Sequence, residues 1–299
     1  MSYTRDMIED LRVALGESSP LPPPKFPQMI TPKVKKFFLK PRLEDGFAEE
    51  AAKHTTALVG IGHVGTRYAT DVVLQFQAEL AVAHEAVSTI LPDTWGEEHS
   101  YLRLQTKVSN HREFLLRPDL GRRLNADSLA RLEQQGKKNI DIQPILADGL
   151  SAVACMGSGV PLLDYFIEGC LAKGWTVGTP MVAKYARVWL EDEIGETVNA
   201  KVAVILLGER PGLGTGDGLS AYMVFEPKIG KTDGQRNMIS NIHERGIIPE
   251  RAAQRLVMLA EAMMNQRTSG VALALEGELG EAAGGGYREA QKRVRLVGV

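Results

Sequence analysis

Val202-Ala203-Val204-Ile205-Leu206-Leu207-Gly208-Glu209-Arg210-Pro211-Gly212-Leu213-Gly214-Thr215-Gly216-Asp217-Gly218 opens with six apolar residues and runs into a loop dense in glycine. The apolar run has the length and β-branched content of a buried strand. Leu219 to Phe225 reads as a second strand directly after the loop. A dinucleotide fingerprint needs G-x-G-x-x-G opening into a helix whose N-terminus receives a pyrophosphate. The spacing here is G-x-G-x-G-x-G and leads into a strand, which argues against a nucleotide site. Glycine has no Cβ, so the loop allows close backbone approach to something large and flat. Glu209 and Arg210 stand at a strand end, where open α/β sheets bind ligands. Composition alone favours the plainer reading, a salt bridge on the loop.

Outward from this stretch, strand-like runs recur at Ile140 to Leu146, Val182 to Trp189 and Met238 to Ile242, with another expected at Val271 to Leu275. Pro144 counts against a long or central strand in the first of them. Helices fit residues 158–173 and the stretch from Pro249, where Ala252, Leu256, Ala260 and Met263 make an apolar stripe. From about 46 to 132 the chain reads helical. A stripe of Phe76, Leu80, Ala83, Val87 and Ile90 marks one helix, another starts near Asp127, and Arg117 to Leu124 forms a turn between them. Strands interspersed with helices predict an α/β layer with a mainly parallel sheet.

Both ends read differently. Residues 3–15 suit a short amphipathic helix, and Pro20, Pro22, Pro23, Pro24, Pro27 and Pro32 then make a linker. The first 16 residues are either a fraying terminus or a peptide that docks on a partner. Lys33, Lys35, Lys36 and Lys40 around Phe37 and Phe38 read as a solvated segment, with an RNA contact the sharper alternative. The stretch from Gly277 to Val299 reads as a tail.

Composition excludes several classes. The 299 residues carry 35 basic and 37 acidic side chains, a net charge of −2, without the basic excess of a nucleic-acid binder. Two cysteines, Cys155 and Cys170, show no metal-ligand spacing, leave a single disulfide open and suit a reducing compartment. The six histidines show no ligand pairing, so no metal site is expected. No apolar run approaches membrane-spanning length, and the start lacks a secretory pattern, so a cytoplasmic protein without membrane contact is expected. Asp148, Asp164, Asp192 and Glu193 are candidate acids or bases that no spacing singles out.

Six blocks in order carry a family resemblance: Leu116 to Leu124, Ala147 to Ala152, Arg187 to Gly195, Leu207 to Leu213, Leu219 to Met223 and Arg236 to Ile242, with Ser269-Gly270-Val271 closing the region. Together they resemble the ethanolamine ammonia-lyase small subunit over roughly 46–274. The resemblance implies a Rossmann-like C-terminal domain at 133–275, a smaller helical domain at 46–132, an N-terminal arm and linker at 1–45 and a tail at 276–299. It implies adenosylcobalamin as cofactor and a large barrel subunit as partner in a hetero-oligomer. That partner holds ethanolamine and the catalytic residues. Radical chemistry begun at the cofactor's Co–C bond then yields acetaldehyde and ammonia. Carried over block by block, the cobalamin contacts are Val188, Glu209 and Met238. No D-x-H-x-x-G motif occurs, so the cofactor is expected with its own base bound. Three residues depart from the family pattern: Met238 replaces a usual cysteine, His63 a usual arginine and Leu80 a frequent histidine. These departures leave two alternatives, a non-catalytic cobalamin- or partner-binding scaffold and a lyase for another amino alcohol. The expected setting is the cytoplasm, with a bacterial microcompartment as a special case.

Overall fold

The computed structural model describes residues 50, 63–96, 99–212, 215–244 and 246–275. The expected arm helix, proline linker, basic–aromatic segment and tail lie outside the described residues. The chain divides into two units, Met1–Gln75 and Phe76–Val299.

In the first unit, β1 (His63–Val64) and β2 (Arg67–Tyr68) form a small antiparallel hairpin. Gly65 turns it with φ +64°, a value glycine adopts without a Cβ clash. His63 stacks on Tyr68 with ring centroids 4.5 Å apart. Helix α1 (Thr70–Ser88) begins here and continues into the second unit.

The second unit holds a six-stranded mixed sheet of order β3-β5-β4-β6-β7-β8. Its strands are β3 (Leu102–Gln105), β4 (Ile140–Ala147), β5 (Met181–Lys184), β6 (Ala200–Gly208), β7 (Leu219–Phe225) and β8 (Asn237–Ile242). β3, β5, β4 and β6 run parallel, whereas β7 is antiparallel to both β6 and β8. The helices are α2 (His111–Leu116), α3 (Ala126–Gln135), α4 (Val160–Ala172), α5 (Leu190–Val198) and α6 (Pro249–Gln266). Alternation along the central strands separates two cores, since successive side chains point to opposite faces. Leu132 of α3 and Leu190, Ile194 and Val198 of α5 pack with Ile145, Ala147, Ile205 and Leu207. Phe166 of α4 and Leu256, Ala260 and Met263 of α6 pack with Ile142, Leu146, Val204 and Leu206. Burial on both faces explains why β6 reads as one unbroken apolar run.

This packing routes the chain. The β3–β4 and β5–β6 crossovers pass over the α3/α5 face, and the β4–β5 crossover passes over the α4/α6 face. Chains leaving β4 and β5 therefore diverge at their carboxyl ends, which is where open α/β sheets form a crevice.

Several expectations change. β4 is long and central despite Pro144, because ladder pairing with β5 starts only at Ile145 opposite Met181. Ile142 directs its N–H and C=O to that flank, bonding Thr176 and Gly178, so Pro144, two residues on, lacks its N–H where the neighbour is still loop. Leu102–Gln105, inside a stretch read as helical, is an edge strand with alternating burial. The strand expected over Val182 to Trp189 ends at Lys184, because Tyr185 takes a left-handed φ of 57°. On α1, Ala83 and Ala86 are buried while Leu80 is exposed; the helix ends at Ser88, before Ile90, which is also exposed. The last expected strand is instead a 3-10 turn, Gly270–Ala272, with Val271 open to solvent. Cys155 and Cys170 are buried, unpaired thiols. No helix among the described residues is long and apolar enough to cross a membrane.

Candidate functional site

The carboxyl ends of β4, β5 and β6 meet through Asp148. Its carboxylate accepts the backbone N–H of Tyr185 at 2.7 Å and of Ala186 at 3.0 Å, locking the turn after β5 to the end of β4. Complete burial pushes its pKa up to about 6, against the pull of those N–H donors. Gly208 ends β6 so close to this turn that a Cβ would stand 2.1 Å from the Ser151 carbonyl oxygen and 2.4 Å from that of Asp148. Ser151 donates its hydroxyl to the Gly216 carbonyl at 3.1 Å and so ties down the glycine-rich loop. The Glu209 N–H bonds the Gly218 carbonyl at 2.9 Å and closes the loop at its base. As the spacing predicts, the loop joins two antiparallel strands, and no helix N-terminus follows it.

Of the three residues carried over from the family blocks, Val188 and Glu209 occupy this end of the sheet, whereas Met238, near the start of β8, lies level with Ile205 partway along β6. Val188 lies in the turn between β5 and α5, half-buried against the α3/α5 core, which Tyr222 and Leu129 also border. Glu209 directly follows β6. Its carboxylate does not pair with Arg210, the plain reading of the loop, but accepts the Tyr222 hydroxyl at 2.7 Å. Burial, then the hydrogen bond to Glu209, raises the Tyr222 phenol pKa well above its usual range. Met238 stands directly opposite Tyr222 in the β7–β8 ladder, so both side chains share one face. Met238 is 51% exposed, uncommon for a large apolar side chain in a strand. Tyr222 thus links Glu209 to Met238. Sequence reasoning missed it because a tyrosine within an alternating strand looks like ordinary sheet packing.

Around this surface sits a rigid rim. Arg236 is buried and holds Glu191 at 2.6 Å and Asp192 at 2.5 Å, so α5 is bound to the start of β8. Trp189 donates its indole N–H to Asp233 at 2.5 Å, and the Arg122 guanidinium lies 4.2 Å from the centre of its ring. The other acidic candidates have structural partners or face solvent. Asp192 belongs to the Arg236 pair, Glu193 accepts the Leu124 N–H at 2.5 Å, and Asp164 is exposed on α4. No group of three or more metal-ligating side chains occurs among the described residues.

The family model of the ethanolamine ammonia-lyase light chain (EutC) matches residues 45–274. The chain belongs to the ethanolamine ammonia-lyase light-chain family. A similar relative is the ethanolamine ammonia-lyase small subunit of Clostridium acetobutylicum, 38% identical over 219 residues, which span 73% of this chain and 90% of the relative. The light-chain match covers every described strand and helix, from β1 to α6. Membership makes the chain a subunit of a lyase complex. Within it, His63 lies exposed in the β1–β2 hairpin and Leu80 on an exposed face of α1.

Proposed function

We propose that this light chain works with a large subunit in an adenosylcobalamin-dependent lyase that converts ethanolamine to acetaldehyde and ammonia. In this reading Val188, Glu209, Tyr222 and Met238 form the surface that covers the cofactor. The observation that carries it is the Glu209–Tyr222–Met238 array on one face of the sheet, reaching back from the carboxyl end of β6 to the start of β8. A corrin is broad and partly apolar, and its rim carries neutral amide side chains. The donor set fits such a group. One oxygen of Glu209 accepts the Tyr222 hydroxyl, and the other has no hydrogen-bond partner among the described residues, so it is free to accept an amide N–H. Met238 and Val188 offer the apolar contact, and methionine's flexible thioether adapts to an irregular surface. Bound adenosylcobalamin supplies the Co–C bond whose homolysis starts radical chemistry. The light chain's own residues bind and orient the corrin rim and exclude water from one side of it.

Residues 133–275 are read accordingly as a Rossmann-like layer that uses its carboxyl edge, although the strand order β3-β5-β4-β6-β7-β8 differs from the doubly wound order 3-2-1-4-5-6. The catalytic residues for ethanolamine are assigned to the large subunit, and the complex to the cytoplasm or a microcompartment within it.

The test is reconstitution. The purified chain, its cognate large subunit, adenosylcobalamin and ethanolamine are mixed, and acetaldehyde is measured against each subunit alone. Acetaldehyde formed only by the mixture is expected. A stable, cobalamin-containing complex that releases no acetaldehyde would transfer the reading to another amino alcohol. Failure of the two chains to associate would leave a scaffold.

A further inference from the structure

We infer that Arg122, Arg187 and Arg210 form an anion-binding site beside the Val188–Glu209–Met238 surface, and that its ligand is the phosphodiester in the nucleotide loop of cobalamin. The inference rests on the cobalamin reading and adds a second point of attachment to it.

Partners sort the arginines at this end of the sheet. Arg117 pairs with Asp119 at 2.7 Å, Arg123 lies 3.9 Å from Glu193, and Arg236 holds Glu191 and Asp192. Arg122, Arg187 and Arg210 have no carboxylate within ion-pair distance among the described residues. Each is adjacent to the proposed cofactor surface. Arg187 immediately precedes Val188, Arg210 immediately follows Glu209, and Arg122 stacks on Trp189, the residue after Val188.

The backbone brings the first two together. The Arg187 N–H bonds the Gly121 carbonyl at 2.9 Å, and a Cβ on Gly121 would stand 2.7 Å from Arg187 Cγ. Arg187 is also held in place from behind. It donates to the Phe114 carbonyl at 2.9 Å, and its guanidinium lies 4.2 Å from the centre of the Phe114 ring. Its Nε is buried with no hydrogen-bond partner. Desolvation lowers the Arg187 pKa; the nearby Asp148 charge opposes this, and the charges of Arg122 and Arg210 add to it. Like charges gathered with no carboxylate in ion-pair contact cost stability, which a ligand anion would offset. Beside Arg122 and Trp189 opens a cavity of about 170 Å³, which Arg122 alone of the three arginines lines, together with Arg123. The two carboxylates on its wall, Asp119 and Asp192, are already neutralised by Arg117 and Arg236.

The chemistry selects the ligand. Guanidinium groups bind phosphate oxygens through paired N–H donors. Ethanolamine is a cation at neutral pH and would be repelled. The amide groups on a corrin rim are neutral, so the phosphodiester of the nucleotide loop is the one anionic group that cobalamin presents at its periphery. The other source of an anion is an acidic side chain of the large subunit.

The test uses the assembled two-subunit complex, wild type and R122Q/R210Q, titrated spectroscopically with cyanocobalamin and with cobinamide, which lacks the nucleotide loop. Neither substituted side chain has an ion pair to lose, and an unchanged unfolding midpoint would confirm that the fold is intact. Wild type is expected to prefer cyanocobalamin. The double variant should lose about tenfold in cyanocobalamin affinity per arginine while cobinamide affinity stays within about twofold. Equal losses for both corrinoids, no loss for either, or a wild-type complex that does not distinguish them would overturn the phosphodiester site. So would weaker subunit association without any corrinoid and an unchanged corrinoid ratio, which would assign the anion to the large subunit. A wild-type complex that binds neither corrinoid would instead defeat the cobalamin reading itself.

Discussion

Replacing Arg236 by methionine is expected to cost about 4 kcal/mol of folding stability at pH 8, since breaking a buried ion pair strands a charge away from water. The guanidinium holds two carboxylates, Glu191 and Asp192, and all three side chains are at most 3% exposed. Methionine fills much of the volume but returns none of the charge. The loss should depend on pH. Burial, with Asp192 adding to it, raises the pKa of Glu191 to about 8 even with Arg236 in place, and burial also raises that of Asp192. Arg236 for its part holds its own proton more tightly in the pair. An acid whose folded pKa lies above its unfolded value is protonated more readily in the native state. Its folding stability therefore rises as pH falls from about 8 towards the ordinary carboxylate value. Removing Arg236 strengthens that trend, because nothing then favours the ionised forms. Urea unfolding of the Arg236→Met chain should show the full deficit at pH 8 and about 1 kcal/mol at pH 5. A deficit that is the same at both pH values would mean that the carboxylates find another partner.

Glu209→Ala is expected to weaken cobalamin binding by the assembled complex about 30-fold, with subunit association nearly unchanged. Hydrogen bonds to a charged group contribute about 1.5–3 kcal/mol, and each 1.4 kcal/mol is tenfold in affinity. The substitution also strands the Tyr222 hydroxyl, which has Glu209 as its acceptor. Tyr222→Phe separates these effects. It keeps the carboxylate and its free oxygen, so it should cost only a few-fold, through looser positioning of Glu209. Absorbance titration with adenosylcobalamin reads both variants. If Tyr222→Phe proved as damaging as Glu209→Ala, the tyrosine itself would be the cofactor contact.

The layer architecture was legible because its strands bury both faces. Val202 to Leu207 is apolar throughout, Leu219 to Phe225 is apolar but for Ser220 and the Tyr222 hydroxyl, and Pro249 marks the first turn of α6. Less legible were elements whose shape depends on neighbours. Leu102–Gln105 is four residues long and becomes a strand only because β5 offers it an edge. Pro144 is tolerated in the middle of the sheet because the neighbouring ladder has not yet begun. The stripe of α1 was read through Leu80 and on to Ile90, which helical spacing permits, but the structure leaves both exposed and ends the helix at Ser88. In the site, Val188, Glu209 and Met238 were found through sequence blocks, without a pattern of their own. Asp148 was one acid among several until its two backbone donors were seen. Tyr222 and the unpaired arginines emerged only from pairing, since a sequence shows charges but not which of them are neutralised.

The central claim is that residues 186–190, 208–222 apart from 213 and 214, and 236–240 form one cofactor-facing surface. Hydrogen exchange on the assembled complex, with and without cobalamin, tests it most directly. The account predicts that cobalamin slows exchange in all three segments together, with little change along α4 and α6 on the opposite face of the sheet. Protection confined to the α4/α6 face, or absent from the three segments while cobalamin is demonstrably bound, would contradict it.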